Sequence, residues 1–333
     1  MNLLILGGTK FLGRHLVEAA LAAGHSVALL NRGTRTGLFP AVEELRGDRS
    51  QGREGLQALR GRRWDAVIDT CGYVPRLVGL SAEMLRDAVG RYVFISSISV
   101  YAEFADAPDE SSPVAKLADP SSEDIPRDYG ALKAACERVV TVTFGERALN
   151  IRPGLIVGPF DPTGRFTYWP MRVARGGEVL APDDPAGNVQ FIDVRDLARW
   201  TVQLVERNVG GVFNATGPAE PLRFDAFLQA ATRALDAQCR FTWVAAPFLQ
   251  AKGVQPWMEL PLWVDDAPGL NRTNVRRAIE MGLTFSALEK TIVDTYEWAR
   301  AQSDRDGPAS LGSAGLRAEK EADVLAAWAG RAD

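Results

Sequence analysis

The sequence has few of the residues that build disulfide frameworks and zinc sites. Its 333 residues include three cysteines and two histidines, and Cys71, Cys136 and Cys239 lie far apart in the chain. An odd number of widely spaced cysteines favours reduced thiols in the cytoplasm over a disulfide framework. His15 and His25 do not supply a clustered ligand set, so we expect no metal site.

Long apolar runs and an excess of positive charge are also missing. No stretch approaches the roughly eighteen consecutive apolar residues of a membrane span, and residues 1–6 have no basic start. The 38 lysines and arginines are outnumbered by 42 aspartates and glutamates, which gives a formal charge of -4. We therefore expect a cytoplasmic protein without a secretory signal or a membrane partner, and binding to nucleic acid is disfavoured.

The first part of the chain alternates short apolar runs with longer stretches of helical periodicity. The apolar runs predict strands over residues 2–6, 27–30, 66–68 and 92–95. Repeated strand-helix-strand units of this size predict an α/β fold with a doubly wound parallel sheet. Ligands of such a sheet bind beyond the carboxyl ends of its strands.

A glycine-rich turn joins the first predicted strand to the first predicted helix. It reads Gly7-Gly8-Thr9-Lys10-Phe11-Leu12-Gly13. In this context a dinucleotide pyrophosphate rests on backbone N–H groups and on the positive end of the helix. The alternative is a plain strand-to-helix turn. Lys10 stands where a middle glycine is usual, and its ammonium group either contacts phosphate or is solvated.

The end of the second predicted strand favours NADP over NAD. An acidic residue there normally holds the ribose 2'-hydroxyl group of NAD, whereas this chain has Asn31, Arg32 and, slightly further on, Arg35. The two guanidinium groups offer charge-assisted contacts to a 2'-phosphate, unless they are ordinary loop charges. Asp48 is a candidate acceptor for the adenine amino group, or simply a turn residue.

A serine run and a tyrosine-lysine pair are the candidate catalytic groups. Tyr129 and Lys133 are four residues apart at the start of a predicted helix, so they share one face. The serines of 96–99 follow an apolar strand and lie on the same rim as the glycine turn. The alternatives are a helix-surface pair and a polar strand end. A neighbouring ammonium group lowers the pKa of a phenol, so Tyr129 would exchange a proton with a substrate oxygen.

Proline and glycine become frequent after about residue 155, and the regular alternation stops. This change predicts a second, smaller mixed α/β lobe that binds substrate. We assign residues 1–154 and about 189–215 to the dinucleotide-binding domain, and about 155–188 and 216–300 to the substrate lobe. A linker over 301–315 would lead to a C-terminal helix over 316–330.

Six motifs occur in a fixed order over about residues 1–300. They cover 7–13, 96–101, 129–133, 152–159, 191–198 and 213–217. Through them the sequence resembles the extended short-chain dehydrogenase/reductases, the NAD(P)-dependent sugar epimerase/dehydratase family. Its opening G-G-T-x-F-L-G resembles an atypical branch that includes chloroplast stem-loop RNA-binding proteins. The resemblance implies a Rossmann fold.

The resemblance also implies roles for individual residues. The position of the family's catalytic serine selects Ser97, which would donate a hydrogen bond to the oxygen that Tyr129 protonates, and Lys133 would hold the cofactor ribose. Pro153 and Gly154 match the segment that lines the nicotinamide. Relatives usually pair through the helix that bears the tyrosine, so we expect a homodimer.

Our leading hypothesis is an NAD(P)-dependent oxidoreductase or epimerase. It would interconvert an alcohol and a carbonyl by hydride transfer on a sugar-nucleotide-like or other polyhydroxylated substrate. Dehydration is disfavoured because Ile98 and Ser99 stand where the family's dehydratases carry an Asp-Glu pair. The alternative is a non-catalytic protein that binds the cofactor as a redox sensor or an RNA-associated factor.

The second lobe contains a group of aromatic and polar side chains with two interpretations. They would hold a phosphate or a sugar, or, more plainly, the aromatic ones belong to the core. The residues are Arg165, Tyr168, Trp169, Arg172 and Gln190.

Overall fold

The computed structural model describes residues 1–104, 106–264, 267 and 269–331. Its internal contacts divide the chain into two compact units. Unit 1 comprises Met1–Leu155, Val194–Gly217 and Thr273–Thr284. Unit 2 comprises Ile156–Asp193, Pro218–Arg272 and Phe285–Asp333. The domain boundaries given from the sequence stay a prediction.

Strands and helices alternate along most of the described chain. The strands are β1 (Asn2–Leu6), β2 (Ser26–Asn31), β3 (Glu43–Arg46), β4 (Trp64–Asp69), β5 (Val89–Ile95), β6 (Ala148–Pro153), β7 (Leu155–Val157), β8 (Gly177–Pro182), β9 (Asn188–Val189), β10 (Phe191–Asp193), β11 (Gly211–Ala215), β12 (Leu222–Arg223) and β13 (Cys239–Val244). The helices are α1 (Phe11–Ala22), α2 (Pro75–Leu85), α3 (Ile125–Phe144), α4 (Arg165–Ala174), α5 (Val194–Glu206), α6 (Phe224–Ala234), α7 (Ala246–Ala251), α8 (Arg276–Glu280), α9 (Leu288–Asp306) and α10 (Ala318–Ala329).

Unit 1 contains a seven-stranded parallel sheet in its described residues. The strand order is β11-β6-β5-β4-β1-β2-β3. Strand β1 pairs in parallel with both β2 and β4, so that Leu4 lies opposite Ala28 on one side and Val67 on the other. From β1 the strands are added on one side in the order β2 and β3, and then on the other side in the order β4, β5, β6 and β11. This arrangement is that of a Rossmann fold. The predicted doubly wound parallel sheet is confirmed.

Burial on both faces explains why the central strands are continuous apolar runs. Leu3, Leu4 and Ile5 of β1 are fully buried, as are Val67 and Ile68 of β4. A parallel sheet covered by helices on both sides excludes water from both faces, so its strands do not alternate apolar and polar residues. Because all the strands of the sheet run in parallel, their carboxyl ends lie along one edge.

Helix α3 begins one turn earlier than the sequence periodicity predicts. The carboxylate of Asp124 accepts a hydrogen bond from the N–H group of Arg127, and Pro126 lies in the first turn. An acidic cap followed by proline is a favourable helix start. The backbone at Asp128 is not helical, so the regular helix resumes at Tyr129, where the prediction placed its beginning.

Unit 2 is a smaller mixed α/β unit. Strands β8 and β13 pair in parallel, and β9 and β12 pair antiparallel. Helices α4, α6 and α9 pack against one another. The rings of Phe166, Phe191 and Phe227 form an aromatic cluster in which the centroids lie 4.9 to 5.7 Å apart. This cluster forms part of the buried core of the unit.

The C-terminal part of the chain packs within unit 2. Helix α9 continues to Asp306, and a short 3-10 turn follows over Pro308–Leu311. The N–H group of Gly315 donates to the carbonyl oxygen of Met258 at 2.7 Å, and helix α10 follows. None of the helices in the described part of the chain combines the length and the apolar character that a membrane span requires.

Candidate functional site

The predicted site residues of unit 1 lie at the ends of four strands of its parallel sheet. The glycine turn follows β1, Asn31 ends β2, the serine run follows β5, and Pro153 ends β6. Because these strands run parallel in one sheet, with β4 between β1 and β5, their carboxyl ends lie along the same edge. This is the edge at which doubly wound sheets bind ligands.

The glycine turn is built around a close approach between its second and last glycines, Gly8 and Gly13. Gly7 and Gly8 have φ angles of +106° and +87°, which side chains other than hydrogen rarely allow. A β-carbon on Gly13 would lie 2.7 Å from the backbone nitrogen of Gly8. Glycine is therefore required at position 13 for helix α1 to start so close to the turn.

The amino end of α1 has the features of an anion site. Lys10 is the N-cap residue, and its side chain makes no capping hydrogen bond. The first turn, which includes Phe11 and Leu12, carries no acidic residue. The first N–H groups of a helix have no partner within the helix and lie at its positive end. Together with the glycine cradle, this start fits a pyrophosphate group, with Thr9 and Lys10 beside it.

The end of β2 offers donors and no carboxylate. The side-chain oxygen of Asn31 accepts a hydrogen bond from the N–H group of Gly33 at 2.8 Å. The side-chain nitrogen of Asn31 is buried and has no hydrogen-bond partner among the described residues. Arg32 and Arg35 are exposed. A buried unsatisfied donor beside two exposed guanidinium groups suits the ribose or 2'-phosphate of a dinucleotide.

Asp48 caps a short turn after β3. One carboxylate oxygen accepts hydrogen bonds from the N–H group and the hydroxyl group of Ser50, at 2.9 and 2.7 Å. These bonds hold the pKa of Asp48 below its usual range. The turn role considered from the sequence is present, and the contact with adenine stays a prediction.

The serine run forms a tight turn at the end of β5. Ser97 is buried, and its hydroxyl oxygen accepts a hydrogen bond from the N–H group of Ser99 at 3.1 Å and donates to the Ser99 hydroxyl oxygen at 3.0 Å. Ser96 is also buried, and its hydroxyl group has no hydrogen-bond partner among the described residues. The turn therefore presents two hydroxyl groups at the carboxyl edge.

Helix α3 contacts this serine turn at the residue after Tyr129. A β-carbon on Gly130 would lie 2.0 Å from the carbonyl oxygen of Ser99, so only glycine allows the observed approach. The contact brings the first regular turn of α3, with Tyr129, next to the turn that carries Ser97. Two of the predicted catalytic groups are thereby on packed neighbouring segments.

Lys133 reaches back under the ends of two strands. Its side chain is 3% exposed, and the amine nitrogen Nζ donates to the carbonyl oxygens of Gly72 at 2.8 Å and Ile95 at 2.5 Å. The ring of Phe94 lies 4.3 Å from Nζ. Burial lowers the pKa of Lys133 to about 8. The amine still carries a proton for much of the time near neutral pH.

Pro153 and Gly154 lie beside the last strand of the sheet. Pro153 pairs with Ala215, and the N–H group of Gly154 donates to the carbonyl oxygen of Ala215 at 3.2 Å. A β-carbon on Gly154 would lie 2.3 Å from the hydroxyl oxygen of Thr216. Glycine is therefore required there, and the segment runs flat against the sheet edge.

A buried ion pair fixes α3 to the strand that leads into this segment. Arg152 makes a bidentate pair with Glu137 on α3, at 2.9 and 2.7 Å, and donates to the hydroxyl oxygen of Tyr101 at 3.1 Å. Tyr101 in turn donates to the side-chain oxygen of Asn214 at 2.6 Å. The network joins α3, β6 and β11 behind the predicted catalytic face.

A second buried pair, at the end of β4, was not predicted from the sequence. Arg49 donates to both carboxylate oxygens of Asp69 at 2.7 and 2.9 Å, and Tyr92 donates to the same carboxylate. Burial opposes the charge on Asp69, but Arg49 outweighs it and lowers the pKa of Asp69. The available signal was an acidic residue directly after the apolar run 66–68. The pair holds the loop that follows β4.

That loop carries Cys71 and Tyr73 at the same edge. The thiol of Cys71 accepts from Arg49 at 3.1 Å. Protein atoms surround the thiol although its side chain is exposed, and this desolvation raises its pKa to about 11. The ring of Tyr73 lies with its centroid 6.4 Å from that of Tyr129. Tyr73 was not among the site residues predicted from the sequence.

Two of the five candidate residues of the second lobe, Trp169 and Arg172, lie in its buried interior. Trp169 is fully buried and donates to the carbonyl oxygen of Pro261 at 2.7 Å. Arg172 is buried in an ion pair with Glu321. Both side chains therefore serve the interior of unit 2. The described residues contain no group of three or more histidine, cysteine or acidic side chains placed to hold a metal ion.

An open depression of about 380 Å³ lies at the amino ends of β1, β4 and β5. Its lining includes Asn2, Trp64 and Gly90. It lies at the opposite edge of the sheet from the predicted site residues. It contains none of the predicted catalytic residues.

Comparisons with known proteins identify the family of the chain and support its fold. The model of the NAD dependent epimerase/dehydratase family matches residues 3–216. The 2'-dehydrokanamycin reductase of Streptomyces kanamyceticus is 28% identical over 219 residues, which are 62% of this chain and 58% of the relative. The chloroplast stem-loop binding protein of 41 kDa b from Arabidopsis thaliana is 25% identical over 250 residues, which are 70% of this chain and 63% of the relative.

The similarity thus spans less than two thirds of the length of these curated relatives. Among solved structures, UDP-glucuronic acid 4-epimerase from Bacillus cereus in complex with NAD has a TM-score of 0.65 at 15% identity. That alignment covers 94% of this chain and the whole of the other. At this identity the likeness concerns the fold.

Proposed function

Because the chain belongs to the NAD-dependent epimerase/dehydratase family, we propose that it is an NAD(P)-dependent oxidoreductase or epimerase of the short-chain dehydrogenase type. It interconverts an alcohol and a carbonyl on a sugar-nucleotide-like or other polyhydroxylated substrate. The names of its curated relatives support this class, since they include a 2'-dehydrokanamycin reductase and a UDP-glucose 4-epimerase.

One observation carries the proposal more than any other. Gly130 allows α3 to touch the serine turn at Ser99, which supports a shared site for Tyr129 and Ser97. Lys133 lies one turn further along α3, and its amine nitrogen donates to the carbonyl oxygen of Ile95, the last residue of β5. A helix-surface pair would not require this contact. A hydroxyl group, a phenol and an amine at one strand edge form the set needed for proton transfer to and from a substrate oxygen.

The cofactor residues follow from the same edge. The glycine turn 7–13 and the amino end of α1 would hold the pyrophosphate. Asn31, Arg32 and Arg35 would hold the ribose end, with Asp48 near adenine, and residues 153–154 would line the nicotinamide. The nicotinamide supplies hydride exchange with the substrate carbon when it is bound.

The protein itself supplies proton transfer and orientation. In the reducing direction the phenol of Tyr129 gives its proton to the substrate carbonyl oxygen, and in the oxidising direction the phenolate takes the proton of the hydroxyl group. Ser97 donates a hydrogen bond to the same oxygen and fixes its position. The ammonium group of Lys133, one helical turn from Tyr129, favours the phenolate form.

NADP is the preferred cofactor within this proposal. The support is the two exposed arginines after β2 and the lack of a carboxylate among residues 31–35. A guanidinium group matches the geometry and charge of a phosphate. NAD is the alternative.

The test is turnover by purified protein with a panel of substrates. NADP or NAD would be offered with UDP-glucose, UDP-glucuronic acid and a set of ketones, with reduced cofactor followed by absorbance and epimers by chromatography. We expect turnover of at least one polyhydroxylated substrate, and a loss of about 100-fold or more in kcat for Tyr129→Phe. Unchanged turnover in Tyr129→Phe would overturn the mechanism.

A second candidate function is a cofactor-binding protein without catalysis, acting as a redox sensor or in association with RNA. The likeness to the chloroplast stem-loop binding protein favours it. The formal charge of -4 opposes it, because phosphate contacts need clustered lysine and arginine. RNA affinity that falls steeply with salt, together with no turnover on the panel, would favour this candidate.

A cytoplasmic homodimer is our expectation for the assembled protein. Helices α2 and α3 pack side by side in unit 1 and would form the pairing surface. Light scattering of the purified chain tests the oligomeric state. A monomer at micromolar concentration would contradict it.

A further inference from the structure

Tyr73 is an aromatic side chain held at the carboxyl edge of the sheet with much of its surface outside the core. Its side chain is 42% exposed, and it follows β4 by four residues. An aromatic ring in this position contributes less to folding than a buried one, because the hydrophobic stabilisation scales with the area removed from water. The position of the ring therefore calls for another explanation.

The backbone beside Tyr73 is fixed from two sides. The carbonyl oxygen of Gly72 accepts the hydrogen bond from Lys133 at 2.8 Å. A β-carbon on Gly72 would lie 2.5 Å from the ring of Phe94, so the loop lies tightly against β5. A rigid backbone positions the ring of Tyr73 before any ligand arrives, and such preorganisation favours binding.

The neighbours of the Tyr73 ring are the predicted catalytic groups. Its centroid lies 6.4 Å from that of Tyr129, with a 41° angle between the rings. The amine nitrogen of Lys133 lies 5.1 Å from the Tyr73 centroid. Desolvation raises the pKa of Tyr73 to about 12. Its phenol therefore stays neutral at neutral pH and does not compete with Tyr129 for proton transfer.

We propose that Tyr73 is a specificity-determining residue, which forms a wall of the substrate site beside Tyr129 and stacks against a ring of the substrate. The proposal rests on the function proposed above and names its substrate class as cyclic polyhydroxylated molecules, in preference to small open-chain carbonyls. Aromatic side chains in ligand sites combine an apolar face with a polar group, which suits a sugar ring.

Two variants separate the ring from its hydroxyl group. Tyr73→Ala removes the wall, and Tyr73→Phe keeps the ring. Ile279→Ala is the control, because Ile279 is an apolar side chain on α8 that is 37% exposed, close to the exposure of Tyr73. Binding of UDP-glucose and UDP-glucuronic acid would be measured by calorimetry in the presence of NADP, and kinetics would be measured for the same compounds and for glyceraldehyde.

We expect Tyr73→Ala to raise the Kd or KM for the cyclic compounds about tenfold. The NADP affinity, the melting temperature and the values for glyceraldehyde should stay close to those of Ile279→Ala. Tyr73→Phe should retain most of the affinity for cyclic compounds. Equal constants in Tyr73→Ala and Ile279→Ala would overturn the inference, as would a wild-type protein that binds none of the cyclic compounds.

Hydroxyl-radical footprinting keeps this test separate from the test of activity. Hydroxyl radicals should oxidise the exposed ring of Tyr73 in the protein without substrate, and a bound cyclic compound should protect it, as read by mass spectrometry of the Tyr73 peptide. If the wild type binds the cyclic compounds but turns over none, the proposed activity fails while protection still supports the wall. If the protein turns over a cyclic compound that does not protect Tyr73, the role proposed for Tyr73 is overturned and the proposed activity stands.

Discussion

Arg172 and Glu321, which are 149 residues apart in the sequence, form a buried ion pair inside unit 2. The guanidinium nitrogen Nε lies 2.9 and 2.7 Å from the two carboxylate oxygens of Glu321. One of these oxygens also accepts the N–H group of Leu180 at 3.1 Å. The pair joins α4, β8 and α10, so the C-terminal helix is part of the unit's interior packing.

We predict that Glu321→Gln destabilises the protein by about 3 kcal/mol, because the variant leaves the charge of Arg172 buried without a partner. Urea unfolding measures the change. Glu319→Gln, at an exposed position of the same helix, should cost less than about 1 kcal/mol. A double replacement of the pair by apolar residues, Arg172→Met with Glu321→Leu, should recover much of the loss. Equal stability of the two glutamine variants would contradict the prediction.

We predict that Gly130→Ala lowers kcat/KM by about 100-fold, because its β-carbon would displace α3 from the serine turn and misplace Tyr129. Cofactor affinity should change little, since the glycine turn is untouched. The matched control is Gly79→Ala in α2, where the nearest atom to the new β-carbon is 3.8 Å away. That variant should be as active as the wild type and at least as stable. Wild-type kinetics in Gly130→Ala would show that the contact has no catalytic importance.

The parallel sheet could be predicted from the sequence because each of its strands is indicated by a short run of consecutive residues. Strands β1, β4 and β5 are buried on both faces over most of their length, and each therefore contains an unbroken apolar run, over residues 3–6, 66–68 and 92–95. The helices between successive strands predict that the strands run parallel, and the right-handed crossover of such strand-helix-strand units limits the strand orders that are possible. Placing Gly7, Ser97 and Pro153 on one edge required only this topology.

The unpredicted parts depend on contacts between distant residues. Lys133 and Gly72 are 61 residues apart, and no periodicity indicates that a lysine amine will meet that carbonyl oxygen. The same holds for Arg49 and Asp69, whose pairing fixes the loop before Tyr73. The start of α3 at Ile125 could have been predicted from the sequence, unlike these distant contacts. Asp124 and Pro126 are typical of a helix start, but the prediction used the apolar periodicity alone.

We predict that replacing both Arg32 and Arg35 with alanine weakens NADPH binding at least about tenfold, because each lost charged hydrogen bond is worth on the order of 1.5 kcal/mol. NADH binding should change less than threefold. Fluorescence titration measures both constants. Arg60→Ala, which removes an exposed arginine elsewhere in unit 1, controls for the loss of positive charge. Equal losses for NADPH and NADH would rule out recognition of the 2'-phosphate.

Lys133 should give the stability of the protein a specific dependence on pH. Its pKa is about 8 in the folded chain, whereas the pKa of a solvent-exposed lysine is 10.5. Between these values the unfolded chain binds more protons than the folded chain, so the contribution of Lys133 to stability increases as pH rises. The neutral amine keeps two N–H donors for the carbonyl oxygens of Gly72 and Ile95, so its hydrogen bonds survive deprotonation.

We predict that the free energy of unfolding of the wild type rises relative to that of Lys133→Met by about 2 kcal/mol between pH 7 and pH 9.5. Urea unfolding of cofactor-free protein at several pH values measures this difference, and groups common to both proteins cancel. Lys116→Met, at an exposed position, controls for the loss of one positive charge. A difference in unfolding free energy between the two proteins that stays constant or shrinks as pH rises would mean that burial does not lower the pKa of Lys133. The amine, one helical turn from Tyr129, would then be fully charged throughout the neutral range.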